Sequence, residues 1–331
     1  MACRPTARMP LDPHVRRLVG ALSLGAASLG AASPGAEGDA PLPSMAQRRD
    51  AFRGLMRFSD VGAQVAGAED GELPGPAGPL RMRIYTPADA DPDAGLLPGL
   101  VFFHGGGLVA GGLDTHDALC RSLCNETGCR LIAVDYRLAP EHVFPAAVED
   151  AYAATVWVFG QAAALGVDPQ RIVVAGDSAG GTLAAVVCQR FARLPGPGPA
   201  VQLLLCPILD WSGETESRRD LGQGYLLDRA LMRQELACYL GTHRQVEHPE
   251  VSPLRASDIG RPPRTYIHTA EFDPLRDEGH AYAEKLRSAG GEIHHTCHPG
   301  MVHLFYGLGR VVPYAREAHR RIGAEIRAAL A

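Results

Sequence analysis

An apolar run from Arg171 to Ala175 leads straight into Gly176-Asp177-Ser178-Ala179-Gly180, and apolar residues at helical spacing follow at once from Ala179 to Arg193. A strand that turns into a helix with no intervening loop holds the residue at the turn in a strained backbone conformation. Only small neighbours then avoid collision with adjoining strands. A serine at such a turn has its hydroxyl lifted clear of a sheet. A chain with 38 glycines can produce one Gly-x-Ser-x-Gly by chance, so the weight of the motif comes from its position between a strand pattern and a helix pattern.

The rest of the chain repeats that alternation. Short apolar runs recur at Leu80 to Tyr85, Gly99 to Phe103, Arg130 to Val134, Arg171 to Ala175, Val201 to Leu205, Thr265 to Ala270 and Glu292 to Cys297, and they read as strands. Helical spacing fills Pro145 to Leu165, Ala179 to Arg193, Asp277 to Ala289 and Tyr314 to Leu330. Together they predict βαβ units and a mostly parallel sheet covered on both faces. Pro, Gly and acidic residues cluster at Ser33 to Ser44, Ala66 to Pro79, Ala88 to Pro98 and Leu194 to Pro199, where regular elements should end. Between Asp210 and Pro263 the alternation breaks, with a helix at about Asp228 to Leu240 among polar and proline-containing loops. The resulting division is N-terminal cap helices over residues 1–50, an α/β body over 51–209 and 264–331, and a cap insertion over 210–263, the two cap pieces forming a lid over the sheet's carboxyl edge.

A length of 331 residues with 46% hydrophobic and 21% charged residues suits one large α/β domain with insertions. The net charge of -5 and the lack of a basic run argue against a nucleic-acid partner and for a small or neutral substrate. The eight cysteines, Cys3 among them, mostly sit in apolar stretches and read as reduced core thiols of a cytoplasmic protein. Cys120, Cys124 and Cys129 lack the paired spacing of a zinc site. Arg16 and Arg17 precede a mildly apolar run, Leu18 to Ala32, which reads either as a secretory leader or as a helix spaced on Val15, Leu18, Val19 and Leu22. No other stretch approaches the roughly 20 apolar residues of a membrane span.

His104-Gly105-Gly106-Gly107 directly follows the run Leu100 to Phe103. Three glycines after a strand let backbone N–H groups point at a negatively charged oxygen. A phosphate loop is the competing reading, but the Gly-Lys-Ser/Thr ending is missing. A nucleophilic serine also needs a base and an acid to orient it, and on such sheets they follow in the order Ser, acid, His. Asp273, just past the run Thr265 to Ala270, is the favoured acid. Glu271 abuts the strand too closely, and Asp277 is expected to cap the next helix. His303 is the natural base, on a loop from Pro299 to Phe305 after a strand expected to end near Cys297. His294, His295 and His298 raise the thought of a metal site, but the first two should point to opposite faces of a strand and no carboxylate completes a set. No metal is expected.

With these residues together, the chain resembles the hormone-sensitive-lipase-like (bacterial family IV) esterases of the α/β hydrolase fold. The resemblance runs through His104 to Asp117, Asp135 to His142 with Phe144 to Ala147, Gly176 to Gly181, Asp273 to Gly279 and Gly300 to His303. Met9 to Pro13 is similar to the usual family start, which leaves residues 1–8 as an extension. The resemblance implies a mostly parallel eight-stranded sheet flanked by helices, with a helical cap. It implies Ser178 as nucleophile, His303 as base, Asp273 as acid, and an oxyanion hole from the N–H groups of Gly106, Gly107 and Ala179, with Gly105 less suited. His104 would brace the glycine loop, and the Asp135 to Glu141 segment would tie nearby loops by charge pairs.

The implied activity is that of a serine carboxylesterase acting on short- to medium-chain esters through an acyl-enzyme, without a cofactor, its rate rising around pH 6 to 7 as the histidine deprotonates. A homodimer through the sheet edge near Glu292 to Cys297 follows by analogy. Two other classes stay open: hydrolysis of another acyl bond (an aryl amide, a carbamate or an acetylated sugar), and a non-catalytic small-molecule-binding relative. The chain departs from the family at Leu108, where an aromatic residue is usual, and at Gly112, where an acidic one is common, which leaves the pocket shape open. In the lid, Leu18, Leu22, Trp211, Tyr225, Leu226, Leu227 and Leu231 either line an apolar pocket or pack the lid onto the body.

Overall fold

The computed structural model describes residues 10–28, 42–60, 62–91 and 95–331. Cys3, the extension over residues 1–8, most of the Ser33 to Ser44 break and part of the Ala88 to Pro98 break lie outside them. The elements run α1 (Pro13–Ser28), α2 (Met45–Met56), β1 (Gly67–Gly75), β2 (Gly78–Thr86), β3 (Leu97–Phe103), α3 (Leu113–Thr127), β4 (Arg130–Val134), α4 (Ala146–Gly160) and β5 (Val167–Asp177). Then come α5 (Ala179–Ala192), β6 (Val201–Leu205), α6 (Glu216–Leu221), α7 (Arg229–Leu240), β7 (Arg264–Phe272), α8 (Arg276–Ser288), β8 (Ile293–Val302) and α9 (Tyr314–Leu330).

The strands form one eight-stranded sheet in the order β1-β2-β4-β3-β5-β6-β7-β8. β2 runs antiparallel to β1 and β4, and the rest are parallel. Period-two alternation splits each inner strand between two cores. Val101, Phe103, Ile132, Val134, Ile172 and Val174 face the core shared with α4, α5 and α8. Leu100, Phe102, Leu131, Ala133, Val173 and Ala175 face the core shared with α1, α3 and α9. Because both faces are buried, these strands read as continuous apolar runs. In the order β4-β3-β5-β6 the chain leaves β3 towards β4 and leaves β5 towards β6, so the two outgoing connections diverge and open a crevice at the carboxyl ends of β3 and β5.

Local chemistry explains the helix starts. Asp12 Oδ1 accepts the His14 N–H at 2.8 Å, and α2 opens with a capping box in which Ser44 and Gln47 exchange side-chain to backbone bonds of 3.3 and 2.9 Å. Asp228 caps α7 through the Ala230 N–H at 2.7 Å. α1 occupies the run spaced on Val15 and Leu18, both of which are buried. Among the described residues no helix is long and apolar enough to cross a membrane, and the seven described cysteines form no disulfide.

Four expectations need correction. Ala66 to Pro79, read as a break, is the β1–β2 hairpin: at the sheet edge only Leu73 is buried along β1, so polar residues and Pro74 are tolerated and no apolar run marks the strand. Leu113 to Thr127 is a helix the spacing had not singled out; it buries Leu119, Cys120, Leu123 and Cys124. β8 continues to Val302, because a register shift lets Val302 pair with Phe272. Asp277 lies inside the first turn of α8 and does not cap it; its Oδ2 accepts the Ser217 N–H of α6 at 2.7 Å.

The insertion after β6 is pinned to the body by an ion pair. Arg218 of α6 donates to Glu278 of α8 at 2.8 Å and to the Asp210 carbonyl at 2.6 Å, while Glu278 also accepts the Leu209 N–H at 2.8 Å. Both side chains are buried. Arginine cannot shed its proton to escape such a site. Glu278→Leu is therefore expected to cost about 3–5 kcal/mol in urea unfolding, and adding Arg218→Met should recover part of that loss.

Candidate active site

Ser178 sits between β5 and α5 at φ +53° and ψ -118°, a left-handed conformation that costs a side-chain-bearing residue on the order of 1–3 kcal/mol. Its N–H donates to the Leu205 carbonyl at 2.8 Å and its carbonyl accepts from Ile208 at 3.0 Å, which fixes the turn against the end of β6. A Cβ at Gly180 would collide with the Phe103 carbonyl of the neighbouring strand. That close approach is why the position has no side chain.

The turn places Ser178 Oγ 2.9 Å from His303 Nε2, and His303 Nδ1 lies 2.8 Å from Asp273 Oδ2. The carboxylate only accepts, so Nδ1 carries the proton and Nε2 is free to accept from the serine hydroxyl. All three side chains are buried. His303 follows β8 directly, so the strand, with no loop between, sets its position. Asp273 follows β7, where its Oδ1 also accepts the Leu275 N–H at 2.9 Å. Of the competing acids, Glu271 accepts the Gly300 N–H at 2.8 Å, and Asp277 turns towards α6. Burial alone would lower the His303 pKa, but the Asp273, Asp177 and Glu235 carboxylates outweigh it and hold the imidazole above its ordinary 6.5.

The glycine loop leaves the end of β3 beside this group. Asp177 Oδ1 accepts the Gly105 N–H at 2.8 Å, which removes that donor from any ligand and anchors the loop to β5. The N–H groups of Gly106, Gly107 and Ala179 have no acceptor among the described residues. The Ala179 N–H is also at the N-terminus of α5, where the helix dipole favours negative charge. His104 braces the loop: its ring stacks on Tyr136 at 4.3 Å, its Nδ1 lies 2.8 Å from the Gly105 carbonyl, and burial pushes its pKa down to about 3. Arg137 pairs with Asp150 at 2.7 Å, and Arg49 with Glu141 at 2.6 Å. Leu108 is fully buried at φ +63°, and Gly112 opens α3.

The histidines of β8 do not converge. His294 stacks on Tyr266 at 4.7 Å, His295 meets Thr269 at 3.0 Å and His298 meets His268 at 3.1 Å. Among the described residues, the metal-capable group is Cys206, Asp273 and His303, with ligand atoms within 4.8 Å of one another. Cys206 had no signal in the sequence beyond an apolar neighbourhood. Burial and the nearby Asp273 carboxylate push its thiol pKa well above the usual value and keep it neutral. Of the residues expected to form a lid, Trp211 and Leu227 pack into the core and Leu18 into the opposite one, while Leu22, Leu226 and Leu227 line a cavity of about 240 Å³.

Such an arrangement can draw a proton from a serine hydroxyl and present N–H groups to an adjacent negative oxygen. Comparison with known proteins points the same way. The residue pattern of the alpha/beta hydrolase fold family matches residues 100–307. Esterase LipI of Mycobacterium tuberculosis is 42% identical over 250 residues, 75% of this chain and 78% of the relative. Carboxylesterase NlhH of the same species is 40% identical over 255 residues, 76% of this chain and 79% of the relative. The structure of the ester-hydrolase EH1AB1 from the metagenome of Lake Arreo, complexed with a derivative of bipyridine phosphonate, superposes with a TM-score of 0.88 at 38% identity, covering 96% of this chain and 98% of that one.

The close approach at Gly180 can be tested on stability. Gly180→Ala is expected to cost about 1–3 kcal/mol or more. Gly54→Ala in α2, where nothing lies within 4 Å of the added methyl, should gain up to about 1 kcal/mol. Parallel thermal denaturation of the two variants reads both effects.

Proposed function

From the premise that this chain belongs to the alpha/beta hydrolase fold family, in its hormone-sensitive-lipase-like branch, we propose that it is a serine carboxylesterase of short- to medium-chain esters, with Ser178 as nucleophile, His303 as base and Asp273 as the orienting acid. The observation that carries the reading is the position of His303, within 2.9 Å of the serine hydroxyl on one side and 2.8 Å of a carboxylate on the other.

His303 takes the Ser178 proton as Oγ attacks the ester carbonyl, and the imidazolium so formed is stabilised by Asp273. The N–H groups of Gly106, Gly107 and Ala179 hold the developing oxyanion, and Gly105 is excluded because Asp177 already binds it. His303 then returns its proton to the departing alcohol, leaving an acyl-enzyme. Water, deprotonated by the same imidazole, releases the acid. No step of this chemistry calls for a cofactor or a metal.

In this reading the described residues of the segment 1–50 and residues 210–263 form the cap, and the described residues of 51–209 and 264–331 form the catalytic body. The unpaired outer side of β8, at the end of the sheet, supports a homodimer through that edge. The lack of disulfides among the described cysteines supports a cytoplasmic setting.

Hydrolysis of p-nitrophenyl esters from acetate to palmitate is expected to peak at short or medium chains, and Ser178→Ala is expected to lower kcat by about a millionfold while remaining folded. Undiminished turnover in that variant would remove Ser178 from the mechanism. Because the base must be neutral and its pKa is raised, kcat/KM should climb with pH through a midpoint above 6.5. A midpoint below that value in a pH-rate profile would contradict the electrostatics of the site.

A further inference from the structure

Glu235 of α7 is a buried carboxylate that the acyl-transfer steps above leave unused. Its Oε1 accepts from Arg48 Nε of α2 at 2.8 Å and lies in ion-pair contact with Arg48 Nη2 at 2.7 Å. No hydrogen bond from a described residue reaches its Oε2, and the side chain as a whole is 2% exposed. The carboxyl group rests against Gly107 of the glycine loop so closely that a Cβ there would fall inside it, at a backbone φ of +67°. It is also near enough to His303 to help raise that imidazole's pKa, while burial raises its own. A carboxylate oxygen so little exposed and with no protein donor is free to accept from a group that enters beside it.

We infer that Glu235 determines specificity: Oε2 accepts a hydrogen bond from a hydroxyl group on the ester, close to the scissile carbonyl, so that hydroxylated esters are preferred over plain alkyl ones. The inference rests on the esterase reading and names its substrate class. A neutral hydroxyl fits better than an ammonium group, because the Arg48 guanidinium already balances the Glu235 charge and would repel a second cation. A wall built to pair with a hydroxyl rejects the analogue lacking it, which leaves the acceptor buried and dry. A clasp between α2 and α7 is the plainer role for the same pair, and it would act on all esters alike.

The test compares kcat/KM by pH-stat for matched esters: ethyl 3-hydroxybutyrate against ethyl butyrate, and glyceryl monoacetate against propyl acetate. The full chain is used as wild type, Glu235→Gln, Glu235→Leu and the double variant Arg48→Met/Glu235→Leu, which avoids a stranded guanidinium if the single change fails to fold. In at least one pair the wild type should favour the hydroxylated ester by about tenfold or more. That ratio should collapse towards one in the leucine variants and largely survive in Glu235→Gln, whose amide oxygen still accepts. Turnover of the plain esters with the same ratio in wild type and leucine variants overturns the inference alone. A larger Glu235-dependent preference for ethyl 4-aminobutyrate than for either hydroxylated ester overturns the hydroxyl assignment. Lack of turnover of every ester by folded wild-type protein overturns the esterase reading beneath it.

Discussion

The left-handed turn at Ser178 is the constraint around which the rest of the site is arranged. A residue with a side chain holds φ +53° only where its surroundings over-determine it. Here Leu205 at the end of β6 and Ile208 just beyond it grip the turn, β3 closes over Gly180, and the preceding residue, Asp177, reaches across to the glycine loop. Four of the five positive-φ residues with side chains that the structure describes lie next to the site: Leu108, Ser178, Cys206 and Leu304. Strain therefore collects where three strand ends must aim side chains at one point.

Charge holds what covers that point. Arg49 of α2 donates to the carbonyls of Val109 and Ala139 at 2.7 and 3.0 Å, besides pairing with Glu141. One helix thus fastens the loop after the glycines to the Asp135 to Glu141 segment. The neighbouring Arg48 reaches Glu235 on α7, and Arg218 ties the insertion to α8. Desolvated pairs of this kind contribute less to net stability than to a single arrangement of parts, because removing either partner strands the other. The carboxylates nearest His303 have the further effect of raising its basicity.

Much of this was legible along the chain because the signals are local. The inner strands were visible as apolar runs, since burial on both faces leaves no room for polar alternation. The edge strand β1 was not: with one side in solvent, Gly67 to Gly75 looks like a loop. β8 was cut short because Pro299 and Gly300 read as a break, whereas a register shift carries the pairing on to Val302. Of the three acids at or just past the end of β7, placement favoured Asp273, and the direction taken by Glu271 and Asp277 is decided only by β8 and α6.

The sequence by itself determined the α/β class, the strand-turn-helix at Ser178, the glycine run after β3 and the order of serine, acid and histidine. The strand-turn-helix and the glycine run are each set by residues within a few positions of one another, and local backbone sterics carry that information, while the order of serine, acid and histidine follows from which strand end each residue stands at. Only the tertiary structure decided that Asp177 takes the Gly105 N–H, that Cys206 faces Asp273 and that Glu235 lies on Gly107. Those contacts join residues up to 128 positions apart. The physical reason is that side-chain encounters at such separation follow from how the strands order in the sheet and how α2 and the insertion after β6 pack on it, neither of which has a local signature in the chain.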